Sequence, residues 1–190
     1  MKYYVINLDR RTDRLESFQV MMDSHKLEFV RIPAVDGQVW TVTDWKKQGR
    51  AKESYWRGAG ACRASHLQTL KIAINANEFP CCVLEDDCVL EQIPNVADNS
   101  GMVLLGGEVL KSGIYGTHAI MYCDLQSCLK WFCYLSCHKN TVDSVCNMYR
   151  KLGNVKVFSK GFITYQRSDY SDIIGEVRSE SWTKISPKVE

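Results

Sequence analysis

Three adjacent carboxylates, Glu85, Asp86 and Asp87, follow a very apolar segment and are the strongest chemical feature of the sequence. Carboxylates this close together repel one another unless a cation lies between them. A hard divalent cation such as Mn²⁺ or Mg²⁺ takes oxygen ligands and often binds substrate phosphates as well. The alternative is a solvated acidic turn at the end of a strand, and the spacing alone does not decide between the two.

A second feature is the basic turn that carries Arg10, Arg11 and Arg14. Guanidinium groups beside a helix N-terminus favour the binding of anions. The alternative is a surface turn in which Arg14 pairs with Asp13 or Glu16. Neither the dinucleotide fingerprint GxGxxG nor the P-loop GxxxxGK[ST] occurs, so an anion site here would lack a glycine cradle.

A hydroxyl and an imidazole stand side by side at Ser65 and His66. Neighbouring residues on a helix do not face each other, so these two cannot form a nucleophile and base pair. We therefore do not expect a serine hydrolase.

The hydrophobic pattern predicts alternating strands and helices that would position these groups. Strands are expected at 3–8, 29–35, 80–84, 102–105, 117–122 and 155–158. A first helix with Thr12 as its N-cap and a second at 59–76 are expected, with 40–57 forming loops or short helical turns between them. Two later helices are expected to bury the stripes Leu125, Leu129, Phe132, Cys133 and Val142, Val145, Cys146, Tyr149. Such alternation predicts an α/β fold with a mixed, mostly parallel central sheet and a ligand crevice at the carboxyl ends of its strands.

Composition sets limits on size and partners. The 190 residues are 45% hydrophobic and 24% charged, as in an average globular protein, so we expect one domain at 1–178 and a tail or linker at 179–190. Lys and Arg total 24 against 22 acids, which gives no field suited to nucleic acid. No apolar run is long enough to span a membrane, and the first residues lack the apolar segment of a secretory signal, so we expect a cytoplasmic protein.

Nine cysteines are unusual for a chain of this kind. A cytoplasmic location favours reduced thiols, and the spacing between Cys123 and Cys146 contains no CxxC pair typical of structural zinc. We therefore expect the cysteines to be packing groups. Cys82 and Cys88 are expected to flank the carboxylates inside strands, and Cys62 is expected in a pocket loop.

Several segments, in this order, resemble the signature of glycosyltransferase family 25, the lipooligosaccharide and collagen-type sugar transferases, which has small relatives in large DNA viruses of algae. The similarity extends over about 3–175. The segments that carry it are 5–14, 34–37, 58–66, 83–87, 116–122, 141–143 and 165–173.

This resemblance implies a GT-A fold and the transfer of a hexose, with inversion, from a nucleoside diphosphate sugar such as a UDP-sugar to a hydroxyl of a glycan. It implies that Asp87, assisted by Glu85 or Asp86 and with His118 as a further candidate ligand, holds Mn²⁺ or Mg²⁺ against the donor diphosphate, and that Asp143 is the base. The residues expected to bind the nucleotide sugar are Asn7, Leu8, Arg10, Arg14, Asp36, Gly37, Ser65, His66, Glu85 and Asp86. Asp143 has an alternative role as an acid in the first turn of a helix, and either histidine could be a packed core residue.

The sequence also departs from the family pattern. Ala59 and Ala61 stand where the family commonly has an acid and a glycine before the cysteine. The chain is shorter than typical members, so the acceptor is expected to be small or bound partly by a neighbouring domain joined through the C-terminal tail. The alternative function is a catalytically impaired nucleotide-sugar-binding module, or one domain of a larger glycan-synthesis protein.

Overall fold

A computed structural model describes residues 1–39, 53–97, 99–110, 113–157, 163–167, 170–171 and 176–177. Four helices lie in these ranges, namely α1 (Thr12–Ser24), α2 (Glu53–Ala76), α3 (Leu125–Cys137) and α4 (Val142–Lys151). The strands are β1 (Lys2–Asn7), β2 (Val30–Pro33), β3 (Cys81–Glu85), β4 (Cys88–Leu90), β5 (Met102–Leu104), β6 (Glu108–Leu110), β7 (Gly113–Tyr115), β8 (Ala119–Tyr122), β9 (Val155–Val157), β10 (Thr164–Gln166), β11 (Tyr170–Ser171) and β12 (Glu176–Val177).

Six strands form the central sheet, in the order β2-β1-β3-β8-β5-β9. Strand β8 runs antiparallel to β3 and β5, and the other pairings are parallel. The mixed, mostly parallel α/β sheet expected from the sequence is thus confirmed. Because β1, β2 and β3 are parallel, they end at the same edge of the sheet, at Asn7, Pro33 and Glu85.

Both faces of the sheet are covered, so its strands are apolar on both sides. On one face Tyr4 and Val83 pack in a core that includes residues of α2, α3 and α4. On the other face Tyr3 and Leu84 pack with Phe18 of α1. This alternation decides which helix each side chain at the end of a strand can meet.

Several element boundaries differ from the sequence prediction. Arg11, not Thr12, is the N-cap of α1, and it makes no side-chain capping bond. Helix α2 begins at Glu53, six residues before the expected start, so residues 53–57 belong to a long helix rather than to loops or short helical turns. Residues 40–52 lie outside the described part. Strand β4, the β6–β7 hairpin and strands β10, β11 and β12 were not predicted, whereas the equally short β5 and β9 lie in the predicted segments 102–105 and 155–158.

The buried stripe of α3 was also assigned to the wrong residues. Cys128, Trp131 and Leu135 are fully buried, whereas Cys133 is exposed. Apolar residues occur almost all round this helix, so the sequence pattern did not single out one stripe. By contrast, α4 buries the four residues expected of it.

Replacing Trp131 with alanine should lower the free energy of unfolding by about 3–5 kcal/mol, since it removes a fully buried indole. The indole packs against Tyr149 with ring centroids 5.3 Å apart, so the loss would loosen the contact between α3 and α4. Urea unfolding measures the effect. Lys130→Ala on the exposed face of the same helix is the matched control and should change stability by about 0.5 kcal/mol or less.

All nine cysteines lie in the described ranges and all are free thiols. Cys82 and Cys88 are buried in strands as expected. Two corrections apply: Cys133 and Cys137 are exposed and are not packing groups, and Cys62 lies within α2 rather than in a loop. Among the helices of the described residues, none is long and apolar enough to cross a membrane.

Candidate active site

The three carboxylates at the end of β3 do not point into one shared site. Glu85 is the last residue of the strand and faces α2, whereas Asp86 faces α1 on the opposite side of the sheet. Asp86 and Asp87 form the turn that leads into β4. Successive side chains along a strand alternate between faces, which explains the divergence.

Asp86 is buried and fully engaged by the protein. Its Oδ2 accepts a hydrogen bond of 2.7 Å from Asn7 Nδ2, and its Oδ1 accepts one of 3.1 Å from a terminal nitrogen of Arg14. Burial raises the pKa of Asp86 to about 6; the charge of Asp87 adds to this effect and the Arg14 guanidinium opposes it. The network joins the ends of β1 and β3 to α1.

Arg31 of β2 extends this network and was missed in the sequence. Its Nε donates to Asn7 Oδ1 at 2.9 Å, and its guanidinium also pairs with Asp9. Asn7 therefore has both its amide nitrogen and its amide oxygen held in place. An arginine within a strand that packs on β1 was the signal that could have revealed it.

Asp87 is the second carboxylate of this turn, and it is buried like Asp86. Gln166 Nε2 lies 3.3 and 3.4 Å from its two carboxylate oxygens, and Arg14 lies 3.8 Å from Oδ2. The backbone N–H of Arg167 donates to the Asp87 carbonyl at 2.7 Å. Gln166 is the last residue of β10, which pairs with β4 and places Gln166 opposite Cys88. Gln166 was not among the expected site residues, although it lies in the segment 165–173 that carries the family resemblance.

Asp36 follows β2 and lies beside the basic turn. Its Oδ2 accepts a 2.8 Å hydrogen bond from Arg10 Nε, and its Oδ1 accepts one of 2.9 Å from the Gln38 N–H. The hydrogen bond from Arg10 lowers the pKa of Asp36, so the carboxylate is ionised at neutral pH. Leu8 is half-buried in the same turn, and its carbonyl accepts from the Arg11 N–H at 2.9 Å.

The three arginines of the basic turn do not form one open anion site. Arg10 pairs with Asp36, Arg11 pairs with Asp13, and Arg14 turns inward to Asp86. The three arginines therefore make separate ion pairs, and the inward pairing of Arg14 with Asp86 was not expected from the sequence.

Gly37 allows the Asp36 turn to lie directly against α2. A Cβ at Gly37 would come within 2.9 Å of the Arg57 carbonyl oxygen and of Gly58 Cα. We expect Gly37→Ala to push this turn off the helix, to lower the free energy of unfolding by about 1–3 kcal/mol and to weaken any ligand that contacts Asp36. Urea unfolding and ligand titration measure the two effects. Since Gly37 does not have a left-handed φ, its loss would come from the contact alone, and Gly153→Ala, where a Cβ would meet no atom within 4 Å but φ is +79°, shows what backbone strain alone costs.

Ser65 and His66 face different partners, as expected for neighbours on a helix. Ser65 Oγ accepts from the Val35 N–H at 2.9 Å and donates to the Ala61 carbonyl at 2.8 Å, which fastens the end of β2 to α2. His66 is fully buried, with Nε2 3.0 Å from Glu85 Oε1.

The residues before β8 and at the start of α4 complete this edge of the sheet. Asp143 Oδ1 accepts two hydrogen bonds of 3.0 Å, from the Gly116 N–H and from Thr117 Oγ1. His118 is buried, and its Nε2 lies 3.4 Å from Thr164 Oγ1. His118 is thus positioned near β10.

A family model described as glycosyltransferase family 25 (LPS biosynthesis protein) matches residues 1–103 of the chain, more than half of its length. The matched range contains Asn7, Asp36, His66 and the three carboxylates, and the resemblance found in the sequence is confirmed. None of the curated proteins compared with the chain matches it.

Among solved structures, the chain is similar to a glycosyltransferase involved in the glycosylation of the major capsid of PBCV-1. The two are 9% identical, and the match has a TM-score of 0.48 and covers 82% of this chain and 80% of the other.

Proposed function

The chain belongs to glycosyltransferase family 25 and is a glycosyltransferase, and from this premise we propose that it transfers a hexose from a UDP-sugar to a hydroxyl of a glycan. The observation that carries the proposal is the Asp87 carboxylate, which lies at the sheet edge where Asn7 and Asp36 also follow their strands. Ligands of α/β sheets bind at this edge. We further propose that the fold is of the GT-A type.

In this proposal the donor nucleotide lies over the ends of β1 and β2. The ionised Asp36 accepts hydrogen bonds from the ribose or from a base N–H, while Arg10 and Leu8 line the same turn. Asn7 and Arg14 contribute mainly by holding this turn and Asp86 rigid. Ser65 fixes the end of β2 against α2 and so positions the Asp36 turn.

The proposed divalent cation, Mn²⁺ or Mg²⁺, is assigned to Asp87. The donor chemistry fits: a carboxylate with a neutral amide beside it offers oxygen to a hard cation, which retains other positions for diphosphate oxygens and water. Such a cation, when bound, neutralises charge that develops on the departing nucleotide. Asp86 fits less well, because Asn7 and Arg14 hold its two oxygens through hydrogen bonds of 2.7 and 3.1 Å, whereas Gln166 and Arg14 lie 3.3 to 3.8 Å from the Asp87 oxygens. Two other ligands were expected for this cation. Glu85 has Cys62 and His66 among its neighbours. His118 has Thr164 among its neighbours.

Asp143 is the proposed base for inversion. It lies at the N-terminus of α4, half-buried, against the residues that precede β8. An acceptor hydroxyl must come within about 3 Å of the base. The hydrogen bonds from Gly116 and Thr117 fix the carboxylate through Oδ1.

Asp143→Asn should lower the turnover number by about 10²–10⁴-fold, because the amide cannot accept the acceptor proton. Donor affinity should remain within about threefold, since the proposed base does not touch the nucleotide. Single-turnover transfer assays and donor titration separate the two quantities. If turnover and donor affinity fall by the same factor, Asp143 contributes to donor binding or to the stability of the fold rather than acting as the base.

The direct test of the function is donor-dependent stabilisation. At a donor concentration about 100 times its dissociation constant, the free energy of unfolding should rise by about 2.7 kcal/mol. We expect this rise with a UDP-sugar in the presence of Mn²⁺ or Mg²⁺ and not with EDTA, with GDP- and CMP-sugars as comparison donors. No stabilisation by any donor would contradict the proposal. Release of free sugar from the bound donor would show that the protein is catalytically active, and it would exclude the alternative of a binding module without activity.

A further inference from the structure

A thiol, an imidazole and a carboxylate meet on the α2 face of the sheet, and we propose that Cys62, His66 and Glu85 bind a divalent cation of the zinc class. Cys62 and His66 lie one helical turn apart on α2, so they share a face of the helix. Glu85 reaches them from the end of β3. His66 Nε2 and Cys62 Sγ are 3.0 and 3.9 Å from Glu85 Oε1, and the three ligand atoms all lie within 4.8 Å of one another.

These separations are close to those of a tetrahedral zinc site. Bond lengths of about 2.3 Å to sulfur and about 2.0–2.1 Å to nitrogen and oxygen require about 3.6 Å between sulfur and oxygen and about 3.3 Å between nitrogen and oxygen. Small side-chain rotations would bring the three atoms to these distances. The site is therefore largely formed by the packing of α2 on β3.

The ligand set selects a different metal from the one proposed at Asp87. A thiolate and an imidazole favour zinc, whereas carboxylate and phosphate oxygens favour Mg²⁺ and Mn²⁺. Three protein ligands leave a fourth position for water or a substrate atom. The Glu85 side chain is 19% exposed and Cys62 is half-buried, so an ion can enter from the crevice.

The state of His66 also fits a ligand. Its Nδ1 is buried and has no hydrogen-bond partner among the described residues. The ring proton can therefore lie on Nδ1 without breaking another bond, which leaves the lone pair of Nε2 for the ion. On metal binding, the hydrogen bond between His66 and Glu85 would be replaced by a bond from each of these two residues to the ion. The ion would then link α2 to β3.

Cobalt(II) is a suitable probe, because a cobalt–thiolate bond gives a charge-transfer absorption and four-coordination gives intense d–d bands. The titration uses the full chain, reduced and stripped of metal, with Cys133→Ser and Cys137→Ser. Those two exposed cysteines lie one turn apart on α3 and could otherwise bind cobalt themselves. We expect one equivalent of cobalt with both absorptions, and displacement by zinc.

In this background Cys62→Ser should abolish the charge-transfer band, and Glu85→Gln should keep the band but weaken cobalt binding by at least about tenfold. Cys123→Ser is the matched control and should change neither. Circular dichroism without metal checks the fold. The proposal is overturned if the background protein gives no charge-transfer band, or if the band survives Cys62→Ser. It is also overturned if Glu85→Gln binds cobalt with unchanged affinity. This second variant keeps the test decisive if Cys62→Ser does not fold. None of these readouts depends on sugar transfer, so the proposed function is tested separately.

Discussion

Asp87→Asn is expected to lower sugar transfer by about 10³-fold or more while leaving the protein folded. The substitution keeps the size and the neighbours of the side chain but removes the charge that would hold the divalent cation against the donor diphosphate. Metal ions at such positions contribute several kcal/mol to transition-state stabilisation, and each 1.4 kcal/mol corresponds to about tenfold in rate. The measurement is the rate of transfer, or of donor hydrolysis, as a function of Mn²⁺ concentration.

A matched control for Asp87→Asn is Asp13→Asn, which removes an exposed carboxylate of α1 that pairs with Arg11. It should leave the rate and its metal dependence unchanged. The expected signature of Asp87→Asn is also a loss of the metal-dependent stabilisation by donor. An Asp87→Asn protein that transfers sugar at the wild-type rate with the same Mn²⁺ dependence would rule out Asp87 as the ligand of that cation.

The sequence predicted the fold where the hydrophobic signal was continuous. Strands β1 and β3 are short apolar runs, and α4 has one clear stripe, so their positions were recognisable. Strand β4 and the β6–β7 hairpin have three residues in each strand, and the start of α2 is polar and aromatic. Such elements form because tertiary packing and strand pairing select them, and neither is visible in a local pattern.

The candidate site was predictable in its location but not in its connections. The turn after β3 and the ends of β1 and β2 were expected to meet because parallel strands share a carboxyl edge. The divergence of Glu85 from Asp86 follows from strand alternation and could have been inferred once the end of β3 was known. The contacts of Arg31 with Asn7 and of Gln166 with Asp87 span 24 and 79 residues of sequence, so no local pattern shows them, although Arg31 stands in a predicted strand and Gln166 in a segment that carries the family resemblance.

The same divergence separates two tasks within one acidic motif. Glu85 faces a thiol and an imidazole on α2. Asp86 is hydrogen-bonded to Asn7 and Arg14, and Asp87 lies beside Gln166. Under the two proposals, a motif that looks like a single cation site in the sequence supplies one structural anion and ligands for two different metals. Substitutions of the three carboxylates should therefore have different effects. A change of Asp86 should lower stability, a change of Asp87 should lower the rate of sugar transfer, and a change of Glu85 should weaken the binding of a softer metal.

Arg14→Met is expected to lower the free energy of unfolding at neutral pH by about 3–5 kcal/mol, because it leaves Asp86 buried without its cationic partner. Methionine keeps much of the apolar stem, so the charge is the main loss. Urea unfolding in EDTA measures the change. Arg11→Met, which breaks the pair with the exposed Asp13 carboxylate, is the control and should cost about 1 kcal/mol or less.

The pH dependence of this loss identifies its cause. Burial raises the pKa of Asp86 to about 6, above the 3.8 of an unperturbed aspartate. Protonation of Asp86 therefore stabilises the folded state, and this stabilisation is lost as pH rises through about 6. Without Arg14 the pKa rises further, and the contribution is lost at a higher pH. The destabilisation by Arg14→Met should therefore be larger at pH 8 than at pH 5, and Arg14→Met combined with Asp86→Asn should remove that difference. An equal loss at both pH values would attribute the effect to packing rather than to the unpaired carboxylate.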